Sequence, residues 1–242
     1  MRYGIFSDIH SNLEALEAVT SAYEKERIDK YLCIGDIVGY GASPSECIEK
    51  TRQLTNVIIA GNHDWAVVNK FSLDYFNPIA KEAIIWTRQN LDDKNKYFLE
   101  SLRLMYKNED LTLVHGTLND PQEFNYMTDY ENAWQAFRLL KTDVCFIGHS
   151  HVAGIFIKDE NDQIYYRQTN FIEIKEKKRY IVNVGSIGQP RDNDPRICYC
   201  VYDTDKREIQ LKRIDYDIGT ARGKIIKAGL PPFLGDRLII GR

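Results

Sequence analysis

An α/β fold is predicted for this chain by three observations. Short apolar runs rich in β-branched and aromatic residues alternate with helical patterns, the runs show no two-residue alternation, and they close on Asp, Asn or His. Strands covered on both faces by helices have such uninterrupted apolar composition. In open α/β sheets the carboxyl ends of the strands form the ligand crevice, so polar residues there have a place to act.

The first run, residues 3–8, ends on Asp8. Asn12 is a good N-cap for the helix that follows, in which Leu13, Leu16, Val19 and Tyr23 recur at helical spacing. The second run, 31–36, ends on Asp36, and Ser43-Pro44-Ser45-Glu46 then reads as a capping box with proline at the first helical position. Residues 57–62 read as a third strand ending on Asn62. Between Asn62 and Leu111 no strand is expected; 78–91 and 93–104 read as two helices of a helical insertion over about 65–107. Strands at 111–115 and 144–149 flank a helix opened by the capping box Thr128-Asp129-Tyr130-Glu131.

Beyond His151 the pattern changes. Residues 154–158 and 163–167 flank a polar turn, and 179–186, 197–203 and 208–214 continue as strands, suggesting a second, largely antiparallel sheet. A last helix over about 220–228 is stopped by Gly229 and Pro231. With no Pro/Gly/Ser linker and no repeat, residues 1–242 are expected to form a single domain.

Composition narrows the function classes. At 43% hydrophobic and 28% charged the 242 residues can bury a sizeable core, which excludes disordered and fibrous classes. No apolar run approaches the ~18 residues of a membrane span, so no membrane partner is expected. The net charge of −3 argues against long nucleic acid, which basic surfaces usually hold. Five cysteines, Cys33, Cys47, Cys145, Cys198 and Cys200, are odd in number, form no CxxC pair and read as buried thiols. Together with the absence of a recognisable export signal they point to a cytoplasmic location.

All five histidines, His10, His63, His115, His149 and His151, fall at or just beyond the ends of apolar runs. They sit in the motifs Asp8-Ile9-His10, Gly35-Asp36, Gly61-Asn62-His63-Asp64, His115-Gly116 and Gly148-His149-Ser150-His151. Imidazole and carboxylate together suit manganese, iron, zinc or nickel, and the lack of cysteine in the set disfavours a closed structural zinc site. Glycines 35, 61, 116 and 148 leave room for sharp turns, ions and substrate.

In this order the motifs resemble those of the calcineurin-like metallophosphoesterase superfamily: D-x-H, GD, GNH-D/E, H and G-H-x-H, all present from Asp8 to His151. Asn183-Val184-Gly185-Ser186 and Gly188-Gln189-Pro190-Arg191 are further similar to its compact bacterial and archaeal phosphodiesterase branch. The resemblance implies a two-sheet β-sandwich flanked by helices and two divalent metal ions as cofactors. Asp8, His10, Asp36 and His151 would bind one ion, and Asp36, Asn62, His115 and His149 the other, with Asp36 bridging. It implies a hydrolase, most simply a phosphodiesterase that cleaves a small nucleotide-type phosphoester by in-line attack of a metal-bridging hydroxide. A phosphomonoesterase, protein phosphatase or dinucleoside polyphosphate hydrolase would use the same ions. A scaffold of this fold, or a metal-binding regulator without hydrolysis, is the alternative outside the enzyme class, and retention of all seven ligands and His63 weighs against the scaffold.

His63, left over from the ligand set, is the candidate to protonate or stabilise the departing oxygen. Asp64 resembles the family's acid that orients this imidazole, or caps a helix. Arg191 either clamps a phosphate or pairs with Asp192 or Asp194. Asn12 reads as cap or site residue, and Trp65, Phe71, Tyr75, Phe76 and Trp86 as a stacking platform or the core of the insertion.

Overall fold

The computed structural model describes residues 1–242. The chain opens with β1 (Arg2–Phe6), α1 (Leu13–Glu24), β2 (Lys30–Cys33) and α2 (Pro44–Leu54). The helices α3 (Asn62–Val67), α4 (Pro78–Asn90) and α5 (Asp93–Ser101) follow. Next come β3 (Met105–Lys107), β4 (Thr112–Val114), α6 (Tyr130–Leu139) and β5 (Val144–Ile147). The remainder is β6 (Gly154–Lys158), β7 (Ile164–Arg167), β8 (Phe171–Glu173), β9 (Arg179–Asn183), β10 (Ile197–Asp203), β11 (Glu208–Ile214), α7 (Ile218–Lys227) and α8 (Pro232–Ile240).

Two mixed sheets result, one of five strands in the order β2-β1-β10-β11-β8 and one of six in the order β3-β4-β5-β9-β6-β7. β1 and β2 run parallel, as do β4, β5 and β9, while β10 joins β1 antiparallel and β6 joins β9 antiparallel. Alternation along β10 shows the layering. Cys198, Cys200 and Tyr202 point into the core between the sheets with Ile5, Phe146 and Val182, whereas Ile197, Tyr199 and Val201 face the helical layer of Leu16, Val19 and Tyr23. On the far side of the six-stranded sheet, Val114, Cys145, Ile147 and Ile181 pack against Ala133, Ala136 and Phe137 of α6.

Of the stripe foreseen on α1, Leu16, Val19 and Tyr23 are buried, together with Ala15, and Leu13 is half-buried. Full burial of Leu16 and Val19 is worth roughly 1.5–3 kcal/mol apiece. Tyr23 adds a polar tie, its hydroxyl donating to Ile5 O at 2.9 Å with Cys200 O 3.2 Å away. All five cysteines are buried free thiols, and Cys198 and Cys200 share a face of β10 as their spacing suggested.

Several element expectations are corrected. The strands after His151 do not form a sheet of their own; β10, β11 and β8 extend the sheet begun by β1 and β2, and β6, β7 and β9 extend that of β4 and β5. Residues 57–62 are no strand. They make only the isolated bridges Cys33 to Ile58 and Ile59 to Arg103, because β2 ends at Cys33 and the chain turns into α3 at Asn62. Conversely, a three-residue edge strand, β3, lies between Asn62 and Leu111. The capping-box reading of Ser43 fails, since its side chain makes no cap bond, and the cap of α6 is Asp129, whose Oδ1 accepts from Asn132 N at 2.8 Å. The helix over 220–228 is not the last: Pro232 begins α8 at a first-turn position where no N–H is needed. No helix is long and apolar enough to cross a membrane.

Candidate active site

The ligand candidates gather where the loops after β1, β2, β4 and β5 meet. Their backbones are unusual: Asp8, His10, Asp36, His149 and His151 all have positive φ, between 49° and 68°. A non-glycine residue in the left-handed region costs on the order of 1 kcal/mol, and such strain collects at functional sites because surrounding structure must hold it. Here the restraint is neighbouring main chain. Asp8 N donates to Gly35 O, His10 N to Asp36 O and Ser11 N to Ile37 O, lacing the first loop to the second. Close packing fixes the third: a Cβ on Gly61 would lie 2.1 Å from Asp36 Oδ1.

Two overlapping clusters emerge. Asp8, His10, Asp36 and His151 offer ligand atoms within 4.8 Å of one another, as do Asp36, His115 and His149, and Asp36 belongs to both. His151 Nε2 is 3.2 Å from Asp8 Oδ1, and His115 Nε2 is 3.2 Å from Asp36 Oδ2. All seven predicted ligand residues, Asn62 included, are buried.

Whether these residues fit metal ions is tested by where their protons lie. His10 Nδ1 meets Val38 O at 3.1 Å, His115 Nδ1 meets Ile34 O at 2.7 Å and His151 Nδ1 meets Gln189 O at 2.6 Å. A ring nitrogen facing a carbonyl carries a proton, which leaves Nε2 as the ligand atom and, in the neutral rings of His10 and His151, as a lone pair. Yet His10 Nε2 and His151 Nε2 are only 3.0 Å apart, and two bare lone pairs repel unless a cation sits between them. Asn62 Oδ1 and His115 Nε2 are buried without partners. Backbone carbonyls holding Nδ1 are the usual support of metal-ligating imidazoles. The residues fit metal.

The electrostatics agree. Burial alone would raise the carboxyls of Asp8 and Asp36, but His151 beside the first and His115 beside the second hold both well below the usual carboxylate range. Burial lowers His10 and His151, and brings His149 down to about 3 and His63 to about 4, which favours the neutral imidazole. His115 differs: burial works against its charge, yet Asp36 pushes it up to about 9. Without an ion it keeps a proton where a cation would sit.

His63 stands beside the clusters, its ring 4.7 Å from that of His10 and 4.4 Å from that of Tyr40. Its Nδ1 is buried without a partner. Asp64 does not orient it. The Asp64 carboxylate accepts from Ile37 N at 2.9 Å, Val38 N at 3.2 Å and Gly61 N at 3.0 Å, because the start of α3 turns it back toward the second loop. Burial beside Asp36 pushes its carboxyl up to about 7. Asp64 therefore shapes the backbone that carries Asp36 and Asn62. Asn12 is a cap, its Oδ1 accepting from Ala15 N at 3.2 Å and its amide donating to Gly188 O at 2.8 Å.

A cavity of about 360 Å³ opens over the clusters, reached by Asp36, Asn62, His63, His149 and His151. Phe71, Tyr75 and Phe76 line it, whereas Trp65 packs on Phe124 and Trp86 donates to Ala228 O. Arg191 also lines it and makes neither expected ion pair: Asp192 pairs with Arg213, and Asp194 with Arg196. Tyr40, Tyr126 and Arg237 are among the lining residues not found from the sequence. Tyr40 follows the Gly35-Asp36 motif closely enough to have been considered, but Tyr126, stacked on His149 at 3.9 Å, and Arg237 of α8 carry no sequence signal.

Comparison with known proteins agrees with this geometry. Residues 1–207 match the family model of the calcineurin-like phosphoesterase superfamily domain. An uncharacterized protein of Methanocaldococcus jannaschii is 40% identical over 243 residues, covering 98% of this chain and 97% of its own. The crystal structure of a metallophosphoesterase from Sphaerobacter thermophilus, 38% identical, superposes with a TM-score of 0.88 over 100% of this chain and 99% of the other. That of a hypothetical protein from Pyrococcus horikoshii, 18% identical, shares the fold with a TM-score of 0.81 over 100% and 98%. By sequence, architecture and site, the chain belongs to the calcineurin-like phosphoesterase superfamily of phosphoester hydrolases.

Proposed function

We propose that this protein is a dinuclear metal-dependent phosphodiesterase acting on a small nucleotide-type phosphoester. The observation that carries the reading is the sharing of Asp36 between two buried ligand clusters at the base of one cavity. Asp8, His10, Asp36 and His151 would hold one ion, and Asp36, Asn62, His115 and His149 the other. Two such ions supply Lewis acidity and a water of lowered pKa. Asp36 Oδ2 faces both clusters, 3.6 Å from His10 Nε2 and 3.2 Å from His115 Nε2, and its negative charge would offset cation repulsion. Asn62 contributes a neutral oxygen, which keeps the floor of the site from becoming too anionic for a phosphoester.

His63 waits beside the ligands with an unpartnered Nδ1. The negative charge of an arriving phosphoester opposes the burial that lowers this imidazole, so the ring gains the proton that the departing oxygen needs. Arg191 presents its guanidinium to the same space and clamps phosphoryl oxygens. Phe71, Tyr75 and Tyr126 offer ring faces on which a base can stack. The cavity volume of about 360 Å³ is in the range of small-ligand sites and leaves room for both ester groups of a diester.

Hydrolysis of bis-p-nitrophenyl phosphate beside p-nitrophenyl phosphate, with Mn²⁺ and with chelator, tests this reading. Metal-dependent cleavage that favours the diester is expected. Preference for the monoester would redirect the assignment to a phosphatase, and absence of turnover on both would overturn it.

A further inference from the structure

Two arginines in the cavity wall have no side-chain carboxylate partner. Arg191 follows β9 in a loop and Arg237 lies on α8, yet both line the same space. Acids adjoin each in sequence, but all are engaged elsewhere: Asp192 by Arg213, Asp194 by Arg196 and Asp236 by Arg222. Glu123, the one further acid on this wall outside the ligand set, pairs with neither. Arg191 Nη2 donates to Gln189 Oε1 at 2.9 Å and Arg237 Nε to the main-chain oxygen of Arg242, leaving the other guanidinium N–H groups without protein acceptors. Burial, aided by the nearby Arg191 charge, lowers Arg237 to about 10. Two guanidinium groups that line one cavity and form no ion pair with a side-chain carboxylate repel until an anion joins them.

Their placement orders the anions. Arg191 is tied to the metal cluster: its main-chain N donates to His151 O at 3.2 Å, its buried Nε has no partner, and its Cζ lies 5.5 Å from the Tyr40 ring, which sits 4.6 Å from that of His10 and 4.4 Å from that of His63. Arg237 instead projects from α8, whose Leu234 and Leu238 pack in one cluster with Tyr40. Arg191 thus adjoins the clusters, while Arg237 enters the same cavity from a separate element.

We infer that Arg237, together with Arg191, forms an anion subsite for a second phosphoryl group of the substrate. Resting on the proposed function, this narrows the substrate class to nucleotides in which the scissile phosphoester is joined to another phosphoryl group, with the first held over the metal ligands and the second between the arginines. Arg237 lies outside the residues 1–207 that the family model spans, so α8 adds a selectivity of its own.

The test compares two non-hydrolysable probes, methylphosphonate and methylenediphosphonate, by calorimetric titration of the metal-loaded, dialysed protein. Arg237→Gln should weaken the diphosphonate by about tenfold or more, the scale of one charge-assisted hydrogen bond, and the monophosphonate by under about threefold. Arg237→Lys, which keeps the charge and the stem on α8, should retain part of the difference, and circular dichroism checks that both variants stay folded. Equal losses for the two probes, or none for either, would overturn the subsite. Because binding is read without turnover, failure of the subsite and failure of the phosphodiesterase reading give separate results.

Discussion

Replacing Gly61 by alanine puts the packing account of the site under direct test. The new Cβ would lie 2.1 Å from Asp36 Oδ1, 2.4 Å from Asp36 N and 2.6 Å from Asp36 Cγ. Ordinary contact begins near 3.4 Å, so about 1 Å of overlap must be relieved. Rotating the carboxylate cannot relieve it alone, because the Asp36 main-chain nitrogen is itself only 2.4 Å away, and rotation breaks the 2.8 Å bond from His63 N to Asp36 Oδ1. Overpacking costs roughly 1–3 kcal/mol and a lost hydrogen bond to a charged group roughly 1.5–3, so a destabilisation of about 3–5 kcal/mol is expected. Since Asp36 serves both clusters, metal content should fall with it. Urea unfolding followed by circular dichroism measures the first quantity and metal analysis of the dialysed protein the second. Gly223→Ala is the control: nothing lies within 4 Å of its Cβ and it sits inside α7, so the variant should gain about 0.5–1 kcal/mol. A Gly61→Ala protein within about 1 kcal/mol of wild type and still carrying its metal would refute the reasoning.

His63→Asn should lower kcat on bis-p-nitrophenyl phosphate by about 10²-fold or more while metal content is retained, because His63 lies beside the ligand set rather than in it; steady-state kinetics with metal analysis decides. Glu26 is held by Arg2 Nη2 at 2.9 Å and by Lys212; burial opposes its charge, but these cations keep the carboxyl below its usual value of 4.5. A depressed folded pKa contributes stability that is present above the unfolded pKa and is lost as pH falls through the folded one. Glu26→Gln should therefore cost about 1 kcal/mol at pH 7 and progressively less as the pH drops below that usual value, which urea titrations at several pH values would measure.

The residues that gather into the two candidate metal clusters were legible because they lie at or just beyond the ends of short apolar runs, and those local signals survive in sequence. Clustering five histidines and the acids at strand ends needed only the strand pattern and chemistry of the residue types. Asp64 shows the limit. Its position beside His63 in sequence suggested a contact, but the first turn of α3 aims the two side chains apart and sends the carboxylate to three main-chain N–H groups. Arg191 was equally ambiguous until Arg213 and Arg196, on or beside other strands, were seen to occupy the neighbouring acids.

Sequence by itself determined the α/β class, the burial of the cysteines and which residues can hold metal, since apolar periodicity and donor chemistry are properties of the local chain. Tertiary structure alone decided the rest. The strands after His151 were divided between two sheets by pairing partners that no local pattern encodes, the edge strands β3 and β8 exist only because a neighbour offers its free side, and Arg237 reaches the cavity only because α8 packs with Tyr40, Ala80 and Ala83. Long-range pairing is set by which surfaces remain to be buried once the local elements have formed, and that is a property of the assembled chain.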